Sequence, residues 1–585
     1  MHIYYYLFYY LSIIYNMKKM HYLLALAVMT VAAMVSCSSD DDFTGSNPEA
    51  DGTKVYTRIN VTMDGIGTRA DNTNNVDQDF QYGTAGENKV SSVVLAFYGT
   101  DGSYITQSTA FTLVSNNTTT TPGNVAVQQL YEIEVPQSAI GAAKMVAYVN
   151  MDAAPTAALT AKELVPAGFD TENKFIMTNS AYYNGDTEVK AVEVAETNFY
   201  KKGETPAPSV DVYVERVAAK IEVTGINKVE AYKVFDTEGT EVELTFEAGN
   251  WFVQSTAETS YLLKELDNDT KDWANAANNF RNYWAQAVGY DRTATNERNP
   301  NLKYVTYADG TASGFAMTES GTGYTSDAVT YVQENTFPAS HVTGVNLSTY
   351  NPWYNITVVI IPGHYDYEGA DEDETFYLRE GIMSDEQKEG QTTTTTTKKG
   401  TFIYNTKEAI ERILADADIT VDGKTVTDLF EMALGANVGS KPEQNDAYLA
   451  VKENASFDGV TVKIAGVEVT ANHAAAIAAA VQNIAPMKKY EKGNAYFAVP
   501  LKHYVAGDAT STTPYIKFSD LKTGNYGVVR NNWYVLSVGT IAGLATGVGD
   551  ETKTEPTVDP DPDKYMIDVV LRVLQWHMRN QTVDL

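Results

Sequence analysis

The stretch Lys54–Gly65, KVYTRINVTMDG, sets Val55, Thr57, Ile59, Val61 and Met63 against Tyr56, Arg58, Asn60 and Thr62. Successive side chains of a strand leave opposite faces, so a period of two predicts a strand with one buried face and one wet face. The pattern recurs. Ser91–Ile105 runs into Asp101-Gly102, a hairpin-turn pair, and Leu130–Pro136, Lys144–Asp152 and Ser209–Gly225 continue the series with turn residues between them. Short strands with irregular polar connections must stack as sheets to bury their apolar faces, so the expected fold class is all-β, built as sandwiches. Strand signals return at Asn494–Val505 and Asn531–Leu544.

Helical spacing is confined to the second half. In TKEAIERIL, Ile410, Ile413 and Leu414 share one helical face. Asn472–Pro486 sets Ile477, Val481 and Ile484 at helical spacing, with Asn472 as cap and Pro486 as stop. Trp273–Tyr290 reads as a helix or a packed aromatic loop. Asp385–Gly400, DEQKEGQTTTTTTKKG, reads as a low-complexity loop.

Cys37 is the only cysteine in 585 residues, so no disulfide can form within the chain. It follows Met17-Lys18-Lys19 and the apolar run HYLLALAVMTVAAMVS. A basic start and a short apolar run have the proportions of a secretory signal peptide. A spanning helix needs about 20 apolar residues. Met34, Val35 and Ser36 before Cys37 resemble a bacterial lipobox, in which the cysteine is acylated and becomes the mature N-terminus. The expectation is therefore a start at Met17, a signal segment over 1–36 and a lipid, such as palmitate, on Cys37. Ser38 and the run Asp40–Asp42 resemble a surface-export signal. With 43 basic against 75 acidic residues the net charge is −32. Nucleic acid is excluded as a partner, because such affinity rests on neutralising phosphates.

Catalytic chemistry is thin. The sequence holds no P-loop, no G-x-S-x-G elbow and no H-E-x-x-H. His341, His364, His473, His503 and His577 are scattered without a partner at ligand spacing. Asp371–Glu374, DEDE, lacks the alternating ligands and turn glycine of a calcium loop. No catalytic residue, cofactor or metal is expected, and the chain does not read as an enzyme.

The two ends raise a different possibility. Asp559–Asp563, DPDPD, reads as a stiff spacer because proline fixes φ. Beyond it Ile567, Val569, Leu571 and Val573 alternate with Met566, Asp568, Val570 and Arg572. This strand either completes its own sheet or is donated to a neighbour's groove. Near the other end, Arg69-Ala70 sits in the polar loop GIGTRADNTNN, where a trypsin-like protease could cut. Cutting there removes the lipid anchor together with the first strand, and it leaves an apolar groove.

These features together resemble the fimbrillins, the type V pilin subunits of Bacteroidales. The resemblance is carried by Cys37, by GTRA around Arg69, and by VERVAAKIEV (Val214–Val223) and NNFRNYWA (Asn278–Ala285). It continues through YVQENTF (Tyr331–Phe337), YGVVRNNWYVLSVGTIAGL (Tyr526–Leu544) and the terminal VLRVLQWHMRNQTVDL. It implies two transthyretin-like β-sandwich domains, with short helical insertions in the second. It also implies a lipidated propeptide over 37–69, arginine-specific cleavage between Arg69 and Ala70, and a donor strand centred on Ile567, Val569, Leu571 and Val573. The expected domains are 70–230 and 231–558, followed by spacer and donor strand over 559–585. Implied partners are other copies of the chain, other fimbrial subunits, a trypsin-like maturation protease, an unidentified surface receptor and, before cleavage, the outer membrane through the lipid. The other readings are a tip or accessory pilin, or a glycan-binding surface lipoprotein with Trp273 and Trp284 as a sugar platform.

Overall fold

A computed structural model describes residues 54–63, 83–121, 124–171, 174–184, 186–270, 284–292, 297–341, 345–346, 350–367, 374–389, 392–435, 445–503, 521–558, 567–575 and 578–579. The fold is all-β, with several sheets and few helices.

The first sheet gathers β1 (Val55–Met63), β2 (Val93–Tyr98), β3 (Tyr104–Gln107), β4 (Ala110–Thr121), β5 (Asn124–Val135), β6 (Lys144–Val149), β7 (Met177–Asn179), β8 (Phe199–Lys201) and β9 (Val210–Arg216). Its spatial order is β3-β2-β6-β7-β9-β1-β5-β4, and β8 also pairs with β1. The period-two pattern of β1 is realised from Val55 to Val61: Val55, Thr57, Ile59 and Val61 are buried, whereas Tyr56, Arg58 and Asn60 are half-buried; Thr62, expected on the wet face, is buried as well. Around them pack Leu95, Phe97, Ile133, Met145, Val149, Met177, Val212 and Val214. The expected turn at Asp101-Gly102 joins β2 to β3. Gly102 takes φ +80°, which favours glycine, and the Asp101 carboxylate accepts from the Ser103 backbone N–H at 3.0 Å.

Sheet membership changes at Val217-Ala218, between β9 and β10 (Ala219–Val229). The later strands include β11 (Glu241–Ala248), β12 (Val329–Val332), β13 (Val358–Tyr367), β14 (Phe376–Glu389) and β15 (Thr392–Asn405). They end with β16 (Asn494–Pro500), β17 (Asn532–Ile541), β18 (Ile567–Gln575) and β19 (Met578–Arg579). One sheet holds β12, β10, β17, β18 and β19; the other holds β14, β15, β11, β13 and β16. Ile221, Val223, Tyr534, Leu536 and Val538 from the first meet Phe246, Val359, Ile361, Phe376, Leu378 and Phe497 from the second in one buried core. This is sheet-on-sheet packing, as the alternation predicted.

Both expected helices are present. α1 (Thr406–Asp416) buries Ile410, Ile413 and Leu414, and it opens with a reciprocal capping box in which the side chains of Asn405 and Glu408 each accept the other's backbone N–H at 2.9 Å. α2 (His473–Val481) buries Ile477, but Asn472 stands in the left-handed region at φ 54° and makes no side-chain cap bond. The low-complexity expectation for Asp385–Gly400 is corrected. β14 and β15 pair antiparallel in unbroken register from Phe376 opposite Asn405 to Glu389 opposite Thr392. The cause is chemical: a run of β-branched threonines favours extended backbone, whatever its low complexity.

Candidate assembly site

β1 is an interior strand. Its backbone pairs antiparallel with β5, from Val55 opposite Val135 to Met63 opposite Val127. On its other edge it pairs parallel with β9, from Ile59 opposite Val210 to Met63 opposite Val214, and antiparallel with β8 over Val55–Thr57. Removing it would unpair three strands, β5 on one edge and β8 and β9 on the other, and empty a nine-residue slot. The polar face of β1 is pinned as well. Arg58 donates to Glu132 at 3.0 Å, and Asn60 donates to Asp211 at 2.9 Å. The Tyr200 hydroxyl also donates to Glu132, and that bond together with Arg58 holds the carboxyl below its usual range.

β18 is also nine residues long. It pairs antiparallel with β17, setting Ile567, Val569, Leu571 and Val573 opposite Ile541, Val538, Leu536 and Tyr534. Those four β17 residues are buried. Along its other edge, among the described residues, β18 pairs only with β19, at Val573 and Leu574. In this chain the terminal strand therefore lies in its own sheet, one of the two placements expected for it. Cys37, Arg69, Ala70, Trp273 and His577 lie outside the described residues.

The remaining candidates take packing roles. His341 Nε2 lies 2.8 Å from the Arg292 carbonyl, and burial pushes its imidazole down. His503 Nδ1 lies 2.9 Å from the Tyr534 hydroxyl. His473 stacks on Phe457 with ring centroids 4.8 Å apart. Trp284 is 1% exposed and packs on His503, so it offers no face to a sugar. That corrects its reading as a binding platform. No nucleophile, base and orienting group come together among the described residues. A cleft of about 350 Å³ is lined by Phe169, Phe252, Phe315, Tyr331, Asp170 and Lys303.

Sequence reasoning missed a seam of buried charges where the first sheet meets the others. Glu87, 2% exposed, accepts from the Tyr331 hydroxyl at 2.5 Å, the Thr84 N–H at 2.6 Å and Lys220 Nζ at 2.9 Å. Burial pushes the Glu87 carboxyl up, but these partners outweigh it and hold the group below its ordinary value. Arg216 donates to the Glu87 carbonyl at 3.1 Å and to Asn531 at 3.1 Å, and burial lowers its guanidinium to about 10. Lys264 pairs with Glu215 at 3.1 Å, and Arg530 with Glu334 at 2.5 Å. Gly83–Lys89, the first described segment after β1, is thus tied to β10 and β12.

Residues 488–582 match the family model described as major fimbrial subunit protein type IV, fimbrillin, C-terminal. The match spans β16, β17 and β18, about a sixth of the chain, and this part of the chain is similar to the C-terminal part of fimbrial subunits. Comparison with curated proteins found no match. Among solved structures, a fimbrilin from Porphyromonas gingivalis W83 is 13% identical, with 90% of this chain and 99% of that one covered at a TM-score of 0.33. A fimbrial assembly protein from Parabacteroides distasonis is 14% identical, with 54% and 100% covered at a TM-score of 0.23. Likeness this distant carries no argument, and the similarity to fimbrillins rests on residues 488–582.

Proposed function

We propose that the chain is a structural subunit of a cell-surface fimbria that supports adhesion and polymerises by donor-strand exchange. It is exported as a lipoprotein on Cys37 and matured by a trypsin-like, arginine-specific protease between Arg69 and Ala70. Its partners are copies of itself and other fimbrial subunits. The observation that carries this reading is the place of β1, an interior strand at the amino-terminal side of everything else described, with Val55, Thr57, Ile59 and Val61 all buried. Losing an interior strand exposes main-chain donors and acceptors on both flanks together with an apolar groove, which a strand from another subunit can satisfy and fill at once.

The replacement is matched in length and pattern. Ile567–Gln575 has the nine residues of β1 and, like it, an apolar face of period two, at Ile567, Val569, Leu571 and Val573, though Val570 and Leu574 make its other face partly apolar as well. Seating its four apolar side chains is worth about 6–12 kcal/mol at roughly 1.5–3 kcal/mol each, before ordering costs. Donor and slot belong to opposite ends of the chain, so each contact is heterologous and leaves a free end for the next subunit. On this reading the mature subunit comprises two sandwich domains, 70–218 and 219–558 rather than the expected 70–230 and 231–558, because β10 pairs with β17 and packs in the later core, with the donor segment behind them.

Two outcomes test the maturation steps. Polymerised protein purified from the surface should begin at Ala70 on N-terminal sequencing; filaments that begin at Cys37 would rule out loss of the first strand. Cys37→Ser should abolish lipid labelling and surface display, and normal display of that variant would remove the lipoprotein step.

A further inference from the structure

Glu247 on β11 and His364 on β13 are directly opposite in the antiparallel register, and Asp366 follows His364 by two residues. Their neighbours Phe246 and Tyr365 point into the core and are buried. The period of two therefore sends Glu247, His364 and Asp366 together to the solvent face. His364 Nε2 lies 3.5 Å from Glu247 Oε2 and 3.9 Å from Asp366 Oδ1, and one ligand atom from each residue falls within 4.8 Å of the others. Among the described residues this is the one such group of three.

From this geometry we infer a divalent transition-metal site, suited to zinc, held by Glu247, His364 and Asp366. A tetrahedral zinc with bonds of about 2.0–2.2 Å sets its ligand atoms about 3.3 Å apart, so the pairs at 3.5 and 3.9 Å need only small side-chain movements. Strand pairing fixes the three Cβ positions, which lowers the ordering cost of chelation. The imidazole selects against calcium and magnesium, which take oxygen ligands. No lysine or arginine pairs with either carboxylate among the described residues, so their one ionic neighbour is a histidine that is neutral when it binds metal. Three protein ligands leave a fourth position open to water or an outside group.

The test uses untagged full-length protein and zinc alone, read by competition with a chromophoric chelator. Wild type should hold one more zinc equivalent than His364→Ala, and Glu247→Gln should weaken that same equivalent. Zinc should raise the melting temperature of wild type but not of His364→Ala, because ligand bound only to the native state stabilises it. Without zinc the two proteins should melt alike, since these side chains are exposed. Cys37 is present in every variant and cancels in the difference. Equal zinc stoichiometry in wild type and His364→Ala would overturn the site. So would displacement of the extra equivalent by calcium at similar concentration, which would mark only a diffuse acidic surface. Neither result bears on filament assembly, so this inference stands or falls apart from the fimbrial reading.

Discussion

Replacing Val569 and Leu571 together with aspartate is expected to stop filament elongation while export and cleavage after Arg69 continue. Two residues apart on one strand, these positions share a face, so both carboxylates would enter a neighbour's slot at once. Each would be desolvated without a partner, costing several kcal/mol and cancelling much of what the remaining apolar contacts supply. Arg572→Asp, on the alternate face, should be much milder. Deleting Tyr565–Leu585 should act like the double aspartate. Because β18 also pairs with β17 of its own chain, the melting temperature of the isolated subunit must be measured beside filament length. Elongation lost with little change in subunit melting identifies donation to a neighbour. Long filaments from the truncated subunit would show that the segment merely completes its own sheet.

What could be read from the residues was local. The alternation at Val55–Val61 needs no knowledge of the partner strands to predict a buried and a wet face, and the structure has both. Ile410, Ile413 and Leu414 lie within one helical turn and a half, so their shared face was equally visible. The central place of β1 was not, because it depends on pairing with β9, whose residues lie about 150 positions later. The seam was hidden for the same reason. Glu87 meets Tyr331 across 244 positions, and Arg530 meets Glu334 across 196. His364 had a ligand partner two residues on, at strand spacing, but Glu247 arrives from another strand, and helical or loop motifs do not register that arrangement. The threonine run shows the opposite failure. Its composition was read as a low-complexity loop when its stereochemistry favoured a hairpin.

Glu334→Ala is expected to cost about 3–5 kcal/mol, the price of leaving a buried charge without its partner. Arg530 is 0% exposed, so its guanidinium is out of contact with bulk water. Glu334 accepts from Arg530 Nε at 2.7 Å and from its backbone N–H at 3.2 Å. The same guanidinium donates to the carbonyls of Leu262, at 2.9 Å, and Tyr261. Replacing both charges with apolar residues would therefore not restore stability fully, because those two carbonyls would lose their donor. Lys407→Ala provides the contrast: it breaks an exposed i,i+4 pair with Glu411 on α1, worth about 0.3–0.5 kcal/mol. Denaturant midpoints of the three proteins measure the difference. A Glu334→Ala midpoint close to that of Lys407→Ala would mean that water or another acceptor reaches Arg530, and that the seam does not hold the sheets together. A large loss confined to Glu334→Ala would show that the subunit's stability depends on this buried pair and the two loop carbonyls its guanidinium holds.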